Sequence, residues 1–344
     1  MDVALRMIDL VLPAEKVAEA DRFLDGAEVV DRWDSVLTDE RVKVQALVRA
    51  SRTEALLDEL HDRFGHMKGF RVVLSEVGVT IPAVPAEETV EPEPAAAVSD
   101  EERPIAGRVS RQELQSAMNG AVGGSMDYLV FVALSAIVAA IGMLGDSVAV
   151  VVAAMVIAPL LGPNMALALA ITTGDDDLAR RAVRRVTIGV SLTLALSTLL
   201  GFVLAQAGQL RLLDASEVIT RTRTSPVDFV LALASGVAGT LAFTTGASST
   251  LIGVMVAVAL MPPLVVVGME LGAMRLSECV GAVALVGTNV LCILLSATST
   301  FALMGVRPRR WWQANRAAKR TRMAVGAFVV LLALLFVVTV LRSV

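Results

Sequence analysis

A chain of 344 residues with 55% apolar content and a formal net charge of −4, at a mean hydropathy of +0.69, is too apolar for a soluble globular protein. Residues 1–126 hold most of the Asp and Glu and both His, whereas 127–344 holds run after run of about twenty nearly uncharged residues, the length a bilayer crossing requires. These values divide the chain into a soluble part and a membrane part, and they exclude nucleic acid as an expected partner.

Taken in chain order, MDVALRMIDLVLPAEK lacks the basic start, apolar core and small-residue cleavage site of a signal peptide, so no cleaved leader is expected. Residues 4–12 alternate as a strand does, and 14–25 place Val17, Ala20, Phe23 and Leu24 on one helical face. Strand patterns over 27–37 and 41–49, a helix over 52–64 and a strand over 70–79 complete a βαββαβ order. That order predicts an α+β ferredoxin-like domain over 1–80, four antiparallel strands with two helices on one face. His61 and His66 are five apart, off one helical face and without nearby Cys, so no metal site is expected.

Residues 81–108, rich in Pro, Ala and Glu, hold too few large apolar side chains to build a core and read as a disordered acidic linker. A flexible coil of that length reaches on the order of 30 Å. Residues 109–126 follow as an amphipathic juxtamembrane helix, with Ser110 as its cap and Glu113 closing a capping box.

The transmembrane domain, 127–344, reads as about seven spans: 127–144, 147–172, 186–207, 228–246, 249–272, 279–305 and 323–341. Arg180, Arg181, Arg184 and Arg185 fall between spans two and three. Arg307, Arg309, Arg310, Arg316, Lys319, Arg320 and Arg322 fall between six and seven, with Trp311 and Trp312 as interfacial anchors. The positive-inside rule then predicts a cytoplasmic N-terminal domain and a C-terminus outside. Cys279 and Cys292, thirteen residues apart on one predicted helix, are about 20 Å from each other and read as small buried apolar residues rather than a disulfide.

MVIAPLLGP (155–163) and MVAVALMPP (255–263) lie in ungapped register 100 residues apart, and Ser135/Ser235, Met155/Met255, Val156/Val256, Leu160/Leu260 and Pro163/Pro263 are identical pairs. Proline removes a backbone donor and clashes with the preceding turn, so each segment is expected to bend or break. Corresponding interrupted helices in two halves mark the pathway of many secondary transporters. Three spans per half is odd, which predicts a 3+3 inverted repeat plus one further span. The pathway candidates are Pro159, Gly162, Pro163, Asn164, Pro262, Pro263, Asn289, Ser135 and Ser235. For each, helix packing or a hydrogen bond within its own helix is the plainer alternative. Asp127, Asp146, Asp228 and Glu270 sit at predicted span ends and read as interfacial caps and anchors.

The runs LSAIVAAIGMLGDSVAVVVAAMVIAPLLGPNMALALAITTGD (134–175) and GVMVAVALMPPLVVVGMELG (253–272) resemble the bacterial uncharacterised hydrophobic protein family, domain-of-unknown-function family 389. The resemblance reaches to about residue 305 and is carried most specifically by APLLGP. This chain has Ala153, Ala154 and Met155 where the family pattern favours Gly-Ala-Met. Membership implies a multipass protein of the bacterial cytoplasmic (inner) membrane and supplies no reaction or binding residues.

No P-loop, nucleophile elbow or His-Glu-x-x-His occurs, so no enzyme and no cofactor is expected. The expected function is transport or channel conduction of a small solute or ion, with the cytoplasmic domain as regulator or assembly module and the lipid bilayer as surroundings. The alternative is a non-transporting membrane sensor or scaffold. Small-residue helix surfaces and sheet edges predict a homo-oligomer.

Overall fold

The computed structural model describes residues 5–77 except 28 and 39, residue 80, and residues 111–123, 126–245, 249–306 and 311–343. The linker 81–108, Ser110, Arg307, Arg309, Arg310 and the side chains of Trp311, Trp312 and Arg316 lie outside the described residues. The chain forms two compact units that divide between Glu113 and Leu114.

In the first unit, β1 (Leu5–Pro13), α1 (Val17–Asp25), β2 (Val29–Thr38), β3 (Arg41–Arg49), α2 (Ala50–Phe64) and β4 (Arg71–Val77) follow the expected order. The antiparallel sheet runs β2-β3-β1-β4, with Leu10 opposite both Val44 and Val72. Period-2 alternation turns Ile8, Leu10, Leu12, Val44, Ala46 and Val48 to one face, where Ala20, Leu24, Leu60 and Phe64 of the two helices bury them. The edge strand β2 exposes Trp33, Val36 and Leu37.

The second unit is helical: α3 (Arg111–Ala121), α4 (Met126–Leu144), α5 (Val148–Ile157), α6 (Leu161–Thr173), α7 (Asp176–Gln206), α8 (Ser216–Ile219), α9 (Pro226–Thr245), α10 (Ser249–Gly272), α11 (Leu276–Leu303) and α12 (Trp311–Ser343). Among the described residues α4, α7, α9, α11 and the stretch Ala318–Val337 of α12 are long and apolar enough to cross a membrane, and α5 and α6, bent by 54° at the break between them, are together apolar and long enough for the same. Leu114, Met118 and Val122, spaced four apart along and just beyond α3, are buried against this bundle, so α3 docks on protein through one apolar stripe. Arg181 donates to Asn119 Oδ1 at 2.8 Å and fastens it there.

The arginines expected in a loop lie instead in the first turns of α7, whose N-cap Asp175 accepts from the N–H groups of Asp177 and Leu178. Arg185 is buried; its guanidinium stands 4.5 Å over the Tyr128 ring and donates to Gly123 O, while Tyr128 Oη donates to Arg185 O at 3.1 Å. A helix carries these charges because the partners are within the fold. The expected loop 208–227 also has structure, since Leu213 and Val218 are fully buried around the short α8.

Two chain reversals match in detail. After α6, Gly174 is left-handed (φ 70°) and Asp175 N donates to Ala170 O at 3.0 Å; after α10, Met274 is left-handed (φ 60°) and Arg275 N donates to Glu270 O at 2.9 Å. The helices that follow start at Asp176 and Leu276, and α4 and α9 start at Met126 and Pro226. Where α7 crosses α10 the backbones touch. A Cβ on Gly201 would lie 2.0 Å from Met269 O, and one on Gly272 would lie 2.0 Å from Thr198 O. Cys279 and Cys292 are both buried and free on α11.

Candidate functional site

The first proline motif is a true interruption. Ala158, the residue before Pro159, is extended (ψ 116°), as the proline ring requires of its predecessor, and α5 ends there. Pro163 lies in the first turn of α6, where its missing N–H removes nothing that a helix uses. The end of α5 is held from outside: Ala154 O accepts from Ala158 N at 3.2 Å and from Ser135 Oγ, on α4, at 2.7 Å. Asn164 is buried and donates to Leu160 O at 2.8 Å, closing the first turn of α6.

The second motif behaves differently. α10 runs unbroken through Pro262 and Pro263, so this segment does not break as the first does. From Leu260 to Glu270 every residue is buried, with α4, α5, α7, α9 and α11 packed around the helix. That enclosure holds the helical path where two backbone donors are missing. Symmetric sequence therefore gives asymmetric local structure.

The remaining candidates divide. Ser135 and Asn164 bond carbonyls on the two sides of the break, Ala154 O and Leu160 O, whereas Ser235 donates to Leu231 O of its own helix at 2.7 Å. Asn289 is buried in α11, which packs on α6. Gly162 is half-buried, and a Cβ there would lie 2.7 Å from Ala121 Cβ at the end of α3, so its small size serves packing. Two of the acidic span-end residues are caps. Asp146 accepts from Glu217 N at 2.8 Å, and Asp228 accepts from Ser225 N at 2.6 Å while Ser225 Oγ accepts from Val227 N.

Glu270 is not an interfacial anchor; it is fully buried. Its Oε2 lies 3.2 Å from Arg275 Nε, and Arg275 Nη1 lies 3.0 Å from Asp214 Oδ1. The left-handed Met274 folds Arg275 back beside the last turn of α10, which is why residues five apart can pair. Glu270, Arg275 and Glu278 line a cavity of about 650 Å³ together with Arg223, Thr224 and Thr339. The sequence held one signal for this site: a carboxylate in the last turn of an apolar helix opposes the helix dipole, and so needs a reason to be there.

In the first unit, the sheet face turned away from α1 and α2 carries a polar chain. Trp33 Nε1 donates to Gln45 Oε1 at 3.1 Å, Gln45 Nε2 to Asp9 Oδ1 at 2.8 Å, and Lys43 Nζ to Asp9 Oδ2 at 3.3 Å.

The family described as Domain of unknown function (DUF389) matches residues 155–295, from the end of α5 through most of α11. An uncharacterised protein of Methanocaldococcus jannaschii is 32% identical over 337 residues, covering 98% of this chain and 99% of the relative. The alignment therefore runs through both units of this chain. No solved structure matches.

Proposed function

The chain belongs to the DUF389 family, and we propose that its membrane unit moves a small solute or ion across a bilayer. The interruption at Ala158–Leu160 carries this reading: a helix ends inside an apolar bundle, Pro159 supplies no donor, and a serine from a neighbouring helix serves the freed end. Non-helical backbone at membrane depth persists where protein or a water-filled path satisfies it, and broken helices of this kind line transport sites. In this reading α10 is the seventh crossing, α4–α7 and α9–α11 are inverted halves, and α12 is added to them. The matched reversals at 170–175 and 270–275 support the repeat.

The positive-inside rule supports a cytoplasmic N-terminal domain and a C-terminus outside, and the family resemblance supports a bacterial cytoplasmic membrane. The strand order β2-β3-β1-β4 supports a ferredoxin-like reading of that domain, as a regulator or assembly module. Apolar side chains on the edge strand β2 support pairing between copies of this chain. Neither catalysis nor nucleic-acid binding belongs to the proposal.

Substituting Asn164→Cys and Leu264→Cys in a chain lacking Cys279 and Cys292, then exposing right-side-out and inverted membranes to an impermeant thiol reagent, tests the pathway. Labelling at either position supports it. Protection of both positions from both sides overturns it. The polar chain Trp33–Gln45–Asp9–Lys43 favours a second reading, a membrane-anchored sensor whose soluble unit binds a metabolite or partner, and that protection would move the search there.

A further inference from the structure

We propose that the cavity under the α10–α11 reversal is a monovalent-cation site with Glu270 as its anionic ligand, taking an alkali ion or the protonated amine of a small solute. The proposal rests on the transport reading for its purpose, and on local chemistry alone for its ligand.

A carboxylate withdrawn from water needs an opposite charge and hydrogen bonds to its oxygens. Glu270 is fully buried, yet among the described residues neither of its oxygens has a hydrogen-bond partner. Arg275 approaches Oε2 at 3.2 Å without hydrogen-bond geometry and is shared with Asp214 at 3.0 Å. Glu278 adds a third carboxylate at the cavity wall, against Arg275 and the exposed Arg223. Three carboxylates, Glu270, Asp214 and Glu278, thus stand around two guanidinium groups, Arg275 and Arg223. Thr224 Oγ1 and Thr339 Oγ1, both buried and both without a hydrogen-bond partner among the described residues, line the same cavity.

Three residues with unsatisfied oxygens line one cavity, and they define the ligand class. An anion would meet Glu270 head on, and a neutral polyol would satisfy the hydroxyls but leave the buried carboxylate with no positive charge beyond Arg275, which Asp214 shares. A cation satisfies all three, either as a hard ion that takes oxygen ligands or as an ammonium with several N–H donors. One fully buried carboxylate balances a single positive charge. A volume of about 650 Å³ exceeds that of a bare ion and falls within the range of small-molecule sites, roughly 300–1,000 Å³. The ion enters hydrated, or as the head of an organic cation.

Thermal unfolding of the full-length protein in nanodiscs, titrated with sodium, potassium or methylammonium chloride against choline chloride at constant ionic strength, tests this. The expected result is a saturable rise in melting temperature with at least one of the three. The apparent affinity should weaken by about tenfold or more in Glu270→Gln and by about three- to tenfold in Thr339→Val. Saturation by an alkali ion alone identifies an ion site; saturation by methylammonium alone identifies the head of an amine solute. No saturable shift with any of them, or shifts unchanged in Thr339→Val and in a folded Glu270→Gln, overturns the site. Saturable binding without flux in liposomes of any of the three cations would overturn the transport reading and leave the site standing. Flux of a bound cation that is unchanged in both variants would overturn the site and leave transport standing.

Discussion

Replacing Gly201 by Ala adds one methyl group where α7 rests on α10, and the structure sets its consequence. The new Cβ would lie 2.0 Å from Met269 O and 2.7 Å from Met269 C, so no side-chain rotation relieves the clash. Ordinary contact starts near 3.4 Å, so the two backbones must separate by about 1.4 Å along that line. Overpacking of this kind costs about 1–3 kcal/mol, against a gain of up to about 1 kcal/mol from the better helix propensity of Ala. Gly326→Ala in α12 supplies the control, because nothing lies within 4 Å of the added methyl there and only the propensity gain remains. Thermal unfolding of both variants in one detergent is expected to place Gly201→Ala below the parent chain and Gly326→Ala at or above it. A Gly201→Ala protein that melts no lower than the parent would refute the backbone-on-backbone crossing.

Met274→Gly should stabilise the membrane unit by about 1 kcal/mol in the same assay, since a left-handed conformation costs a side chain roughly 1–2 kcal/mol that glycine avoids; a loss of stability would show that the Met274 side chain matters more than its strain. Ser135→Ala should cost about 0.5–1.5 kcal/mol and speed amide exchange at Ala158, whereas Ser235→Ala, which loses a bond within its own helix, should cost less. Equal effects would show that the Ser135 bond does not hold the end of α5. Burial raises the pKa of the Asp21 carboxyl, and Asp34 and Asp25 add to this more than Arg32 removes. The folded domain thus holds that proton more tightly than the unfolded chain, and stability is lost as pH rises above the ordinary Asp range near 4. Asp21→Asn should then stabilise the soluble domain against urea at pH 7 and not at pH 3, read from Trp33 fluorescence in the full chain with Trp311 and Trp312 replaced by Phe.

The soluble domain was legible because its strands alternate cleanly: Ile8, Leu10 and Leu12 reach the core where period 2 places them. Most apolar helices were legible from length, and the bend at Pro159 from the chemistry of proline. What stayed hidden depended on neighbours. Pro262 and Pro263 read like Pro163, yet they sit inside a continuous helix because other helices of the bundle surround it. Glu270 read as an interfacial residue because its position along the helix says nothing of α8 and α12, whose residues close over that end. Arg185 read as a loop charge because its partners Tyr128 and Gly123 are some sixty residues away in sequence.

α12 is tied to its neighbours near its two ends. Arg320 pairs with Asp176 at 2.8 Å and Thr321 donates to Ile171 O, while Phe336 meets the Phe229 ring edge-on at 5.7 Å. Between those ties Val329, Val330, Leu331 and Leu334 are exposed, and only 6% of the apolar stretch Ala318–Val337 is buried. In the proposed membrane setting the solvent that rewards folding of this helix is lipid, so its hold depends on what surrounds the protein more than on the protein. Dilution into a harsh detergent should release α12 first and leave the glycine-locked helices α7 and α10 until last, a sequence of loss written into where the chain touches itself.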